Sequence, residues 1–399
     1  MGQTCATHKA LPSQPGGAFP TVLWHNSVGM SEVAKHGRQT RGNTSGAPHA
    51  VALQSVVAAA EAARIKERFM VDRIRRSWLI IPAHDDARLA EAAHAGADVI
   101  VLDLQDMVHD TQKQVARARV RETIPRLCAH GAEVFVRADI ELLYADLYAS
   151  VWRGLSGVML PGVTSVAQVQ AADSLLGALQ AERGVVKPPP VGDVLEADDP
   201  VSPEQALELH LCFDTGRGNW DAVEIVQASA RVKSISLGRA DLTMDLREEP
   251  SGDLHLMPYL MQRLIMIANA TGVQPIGAWW RATSRGLVAS YDDTLAAAIT
   301  GRQAGFKGGL CMRAHQVAAL NTGFTPTAEE TAQAQSLLAA SAATRANGSA
   351  RGPRDGTDSE ASRAAIAAHL MAWAAACTAR EQGRARVVAQ TQATAPPRT

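Results

Sequence analysis

The chain has 399 residues, 39 basic against 40 acidic, a formal net charge of −1, and 46% hydrophobic but only 4% aromatic residues. It is long enough to bury a large aliphatic core. Its neutral balance speaks against nucleic acid or an anionic membrane as partner, and no run reaches the roughly 18 apolar residues of a membrane span. Its five cysteines (Cys5, Cys128, Cys212, Cys311, Cys377) are odd in number and never spaced C-x-x-C, which excludes the usual disulfide and zinc patterns and makes the cytoplasm the default compartment.

Residues 1–74 read as a flexible arm and a leading helix. Gly, Pro, Ser and Thr crowd the first 48 residues, and Val51 to Arg73 is Ala-rich with helical apolar spacing. Glu32 is the only acid among the first 60 residues, so an organellar matrix stands as the alternative location. Short apolar runs then alternate with longer amphipathic segments: Ser77 to Ala83, Asp98 to Leu104, Glu133 to Asp139, Gly157 to Val163, His210 to Thr215, Lys233 to Leu237, Gln274 to Trp280 and Gly308 to Arg313. Eight such strands with intervening helices predict an α/β fold, a (β/α)8 TIM barrel, over residues 75–340. The Pro/Asp-rich stretch Gly184 to Pro203 reads as a surface insertion. Residues 341–399 read as a linker and a C-terminal helix, Arg363 to Ala376, apolar enough to require a packing surface such as a neighbouring subunit.

A barrel of this kind builds its active site at the C-terminal strand ends. The second run ends in Asp103-Leu104-Gln105-Asp106, the third in Arg137-Ala138-Asp139, the fifth in Asp214-Thr215-Gly216-Arg217 and the sixth in Gly238-Arg239-Ala240-Asp241. Carboxylates converging with an arginine, and no His or Cys cluster, suit a hard cation such as Mg²⁺ or Mn²⁺. Asp214 and Asp241 are the candidate ligands; the alternative is that each caps the helix after it. Arg137 either pairs with Asp103 or Asp106, stabilises a developing oxyanion, or does both. His84, in the loop after the first strand, reads as solvated, and Trp279 and Trp280 as core or as a stacking surface. Gly216-Arg217-Gly218 fails the dinucleotide fingerprint because Asp221 stands at its third glycine position.

Taken in order, RSWLIIPA, GADVIVLDLQDMV, VFVRAD, VMLPGV, FDTGRG, SLGRADL and GGLCMRAHQVAALNTGFTPTAEE resemble the HpcH/HpaI aldolase superfamily in its citrate lyase β-subunit-like branch, over roughly residues 75 to 340. The resemblance implies a Mg²⁺-dependent carbon-carbon lyase acting on a β-hydroxyacyl-CoA such as citryl-CoA or malyl-CoA, or on a related hydroxy or keto acid, in a homo-oligomer (trimer or hexamer). It gives Arg137 and Asp106 to catalysis and Asp214 and Asp241 to the metal. Arg76, Arg137 and Thr215 are then the candidate contacts to substrate or coenzyme A.

Four positions depart from the family's pattern. Asp214 stands for a glutamate, Gln105 for the glutamate of an acidic pair, Gly162 for the lysine of L-P-K, and Arg313 for the histidine of C-I-H-P. Two alternatives to the lyase follow: an acyl-CoA thioesterase on the same scaffold, or a catalytically impaired binding or scaffold paralogue. The general base stays unassigned; Asp292 and Asp293 are offered by position only.

Overall fold

The structure is a computed structural model that describes residues 73–189, 191, 205–238, 257–279, 289–346 and 360–394. The predicted arm and leading helix lie outside the described residues but for Arg73 and Ile74, as do Arg239, Asp241, Trp280 and most of the insertion and the linker.

All eight predicted strands form: β1 (Ser77–Pro82), β2 (Val99–Asp103), β3 (Glu133–Arg137), β4 (Leu155–Leu160), β5 (Glu208–Phe213), β6 (Val232–Leu237), β7 (Gln274–Ile276) and β8 (Gly309–Cys311). Their ends mostly move by one or two residues. β7 is far shorter than its apolar run and ends at Ile276. The strands pair in parallel in the order β7-β6-β5-β4-β3-β2-β1-β8, and a parallel bridge from Ile276 to Gly308 closes the ring. At that closure only glycine fits, since a Cβ on Gly308 would lie 1.9 Å from the carbonyl oxygen of Arg75.

Alternate residues along a strand face opposite sides. Trp78, Ile80, Val99, Val101, Phe135, Met159 and Ile276 form one buried cluster, the filling of the barrel. Their neighbours in sequence, such as Leu79, Ile100, Val134 and Leu209, join the cluster that packs the sheet against the helices. Those helices are α1 (Asp86–His94), α2 (Lys113–Cys128), α3 (Leu143–Ser150), α4 (Val166–Arg183), α5 (Gly216–Trp220), α6 (Ala222–Gln227), α7 (Met257–Thr271), α8 (Tyr291–Ala304), α9 (His315–Phe324) and α10 (Ala328–Ala346). Local chemistry sets their ends. Asp85 caps α1 by accepting from the N–H groups of Ala87 and Arg88, Ser165 and Gln168 form a capping box on α4, and Gly184 ends α4 at φ +59°. Beyond it, the Lys187 N–H donates to the Gln205 carbonyl at 2.8 Å, so the insertion leaves and re-enters the fold at one point.

The C-terminal helix α11 spans Glu360–Thr394, well beyond the predicted Ala376. It meets its packing requirement within its own chain, against the N-terminal end of the barrel. Arg380 Nη2 donates to the Asp98 carbonyl at 2.9 Å, Arg384 bonds the Gly96 carbonyl, Glu381 pairs with Arg76, and Trp373 Nε1 donates to the Phe324 carbonyl at 2.8 Å. Lys307 Nζ lies 3.0 Å from His369 Nε2 and over the Trp373 ring. Among the described residues no helix is long and apolar enough to cross a membrane.

Candidate active site at the barrel mouth

Asp103 ends β2, fully buried. Its carboxylate accepts from the N–H groups of Gln105 and Met107, each at 2.9 Å, which folds the following loop back toward the strand end. Arg137 is its register partner at the end of β3. Its Nη2 lies 2.6 Å from Asp106 Oδ2 and its Nη1 3.5 Å from Asp103 Oδ2. Burial works against the guanidinium charge, but the two carboxylates outweigh it and hold Arg137 above its ordinary range. Burial also raises Asp103, with Arg137 and the two N–H groups opposing. The ion-pair reading of Arg137 therefore holds, to both Asp103 and Asp106.

Asp214 follows β5 and is 5% exposed. The Gly162 N–H donates to both its oxygens, at 3.0 and 2.9 Å. Gly162 sits at φ +67°, where glycine is favoured, and meets Asp214 with its backbone alone. On the other side Gly238 lies so close that a Cβ there would be 2.4 Å from that of Asp214. Helix capping after β5 falls to Thr215, whose Oγ1 accepts from the Gly218 N–H at 3.0 Å. Asp214 is thus not the cap, and Thr215 has a structural task at the site's edge.

One predicted site residue lies in the wrong place. Arg76 precedes β1, at the opposite end of the barrel from the mouth, and is 2% exposed. Its Nε and Nη2 grip Asp98 at 2.8 and 2.9 Å, and Glu381 of α11 completes the pair. Arg75 is likewise committed, to Glu133 at 2.7 Å and Glu208 at 2.6 Å. Neither can meet coenzyme A phosphates; strand polarity, invisible in a dipeptide, decides this.

Other candidates resolve locally. Asp139 is held by Lys113 at 2.8 Å, and Arg217 is exposed and pairs with Asp221 at 2.7 Å. Trp279 packs on the core. Asp292 and Asp293 lie in the first turn of α8, capped by Ser290, and Arg313 is exposed. His84 is half-buried rather than solvated: its Nδ1 is sealed without a hydrogen-bond partner among the described residues, as is Gln105 Oε1 in the next loop.

Among the described residues no three His, Cys, Asp or Glu side chains converge to hold a metal. Mg²⁺ needs fewer: it takes oxygen ligands, keeps several waters, and binds through one or two carboxylates plus substrate. The buried Asp214 carboxylate is an oxygen donor of the kind such an ion takes. The sequence reading passed over one polar group of the barrel interior, His210, whose serine partners on β6 are remote in sequence.

Comparison with known proteins gives the chain its family. The profile of the HpcH/HpaI aldolase/citrate lyase family matches residues 76–314. Citrate lyase subunit beta of Leuconostoc mesenteroides subsp. cremoris is 26% identical over 272 residues, 67% of this chain and 83% of that protein. An L-malyl-CoA/beta-methylmalyl-CoA lyase of Cereibacter sphaeroides is 25% identical over 299 residues, 69% and 87% of the two chains. Among solved structures, the CitE protein of Mycobacterium tuberculosis, in complex with magnesium, acetoacetate and coenzyme A, shares the fold. Its TM-score is 0.53 at 24% identity, over 75% of this chain and 97% of that one.

Proposed function

Since the chain belongs to the HpcH/HpaI aldolase/citrate lyase family, we propose that it is a Mg²⁺-dependent lyase that cleaves a β-hydroxyacyl-CoA, of the malyl-CoA or citryl-CoA type, between the α and β carbons. The observation that carries this reading is Arg137, a part-buried guanidinium fixed at the mouth by Asp106 and Asp103. Similarity to a citrate lyase subunit and to malyl-CoA lyases supports the same chemistry.

In the reaction a base takes the β-hydroxyl proton, the oxygen's electron pair becomes a carbonyl, and the Cα–Cβ bond breaks. Its electrons pass to the thioester carbonyl as an enolate, which a proton then quenches. Asp214 and Asp241 are the residues that would hold Mg²⁺, which when bound supplies Lewis-acid polarisation of a substrate oxygen. Arg137 donates toward the oxygen on which charge develops. Because its carboxylate partners fix it beforehand, no reorganisation is needed as that charge grows. Asp106 is the positioning carboxylate for Arg137 and is 54% exposed at its side chain, so substrate can reach the pair from solvent. Gly162 holds Asp214 through its N–H while adding no charge of its own.

Incubating the protein with malyl-CoA and Mg²⁺ and separating the products tests the reading. Acetyl-CoA plus glyoxylate is expected. Malate plus free coenzyme A would identify a thioesterase, and no turnover of malyl-CoA or citryl-CoA, with no Mg²⁺ or Mn²⁺ bound in calorimetry, would leave a binding paralogue.

A further inference from the structure

We propose that His210 is a positioning residue for the mouth: by tying β5 to β6 across a bulge, it sets where Asp214 and Gly238 stand. The inference rests on the reading of Asp214 as a metal ligand.

Pairing of β5 with β6 slips between Leu209 and His210, well before the strand reaches Asp214. Leu209 faces Val232, but His210 faces Ser234, so Lys233 is an extra residue on β6. Such a bulge interrupts the ladder locally and bends the bulged strand. His210 stands at that slip, fully buried, with Nδ1 2.8 Å from Ser234 Oγ and Nε2 2.8 Å from Ser236 Oγ. Burial, reinforced by the Arg75 charge, pushes the imidazole down to about 3. The ring is therefore neutral, so it accepts from one serine and donates to the other. Around it the barrel is apolar, with the Trp78 ring 4.7 Å away. A polar ring in that setting costs stability unless both nitrogens are satisfied, and here both are satisfied by the same neighbouring strand.

The consequence travels up the strands. Above the bulge the register runs Cys212 to Ser236 and Phe213 to Leu237, and the Gly238 N–H donates to the Phe213 carbonyl at 3.0 Å. Gly238 then abuts Asp214. His210 and Asp214 lie four residues apart on one inward-facing row, as do Ser234, Ser236 and Gly238 on β6. A one-residue slip would turn Asp214 from the lumen toward the helices. An ordinary core histidine would stabilise the whole barrel evenly, whereas a positioning residue acts selectively at these strand ends.

The test uses the full-length protein. Amide hydrogen exchange is measured without metal, and Mn²⁺ affinity separately, for wild type, His210→Phe and His210→Gln. In His210→Phe the Gly238 and Gly162 amides are expected to lose protection selectively, and Mn²⁺ Kd to rise about tenfold, the scale seen when residues that orient metal ligands are changed. His210→Gln, which keeps a donor and an acceptor, should recover most of both. If His210→Phe exchanges evenly across the barrel and binds Mn²⁺ like wild type, the proposal fails. Should His210→Phe not fold, Ser236→Ala removes one of the two bonds at little change in volume and carries the same comparison. If wild type binds no Mn²⁺, the metal reading falls by itself. The exchange measurement then decides for His210: selective loss at the β5–β6 ends supports it, and uniform loss overturns it.

Discussion

The two ends of the barrel are built from the same residue types and behave as opposites. At the N-terminal end Arg73, Arg75, Lys187, Glu133 and Glu208 lock into one buried network, and Arg76 with Asp98 forms a second beneath α11. At the C-terminal end Arg137 meets Asp103 and a half-exposed Asp106, and Asp214 is held by a backbone N–H. Both ends are arginine-carboxylate clusters; sealing distinguishes them. Charges buried and wholly paired are structure, whereas the Arg137–Asp106 pair at the mouth stays open to solvent.

Substitutions that exchange the roles put this contrast at risk, and the largest effect is expected at the sealed end. Arg75→Met leaves Glu133 and Glu208 short of a partner in the interior and should cost roughly 3–5 kcal/mol in urea unfolding. At the mouth the same change, Arg137→Met, should lower kcat by about 10²–10³ and cost less stability than Arg75→Met, because Asp106 is solvated and Asp103 keeps two backbone N–H donors; an equal or larger loss of stability there would erase the distinction. Asp214→Asn should weaken Mg²⁺ binding in calorimetry and slow turnover with it, at nearly unchanged Tm.

Acid sharpens the contrast from the other side. In the folded chain burial holds His210 down to about 3, and burial with the nearby Lys307 charge holds His369 down to about 4. Between those values and the ordinary 6.5 the unfolded chain binds more protons, so stability is full above pH 6.5 and falls as pH drops toward 4 and then 3. Urea midpoints measured against pH should show that decline, and His369→Gln should flatten its upper part. The smallest effect is expected at Gly162, where Ala must adopt φ +67° at a cost of about 1–2 kcal/mol.

Much of this was legible along the chain. Alternating apolar runs announced eight strands because a parallel sheet covered by helices needs continuous aliphatic segments, and polar strand endings marked Asp103, Asp106, Arg137 and Asp214. Arg76 misled because a basic pair beside a strand does not declare which end of the barrel it occupies. His210 was passed over because its meaning lies in Ser234 and Ser236, which are remote in sequence and adjacent only through strand pairing. For α11, the apolar face declared that it must pack, but only Arg380, Glu381 and Arg384 meeting Asp98, Arg76 and Gly96 show where.

The sequence by itself determined the kinds of elements, their order and the residue types at each strand end, because periodicity and turn chemistry are local. Only the tertiary structure decided which charges are sealed and which are offered, and which strand holds which in register. Burial and pairing are properties of elements brought together, and no local pattern encodes them.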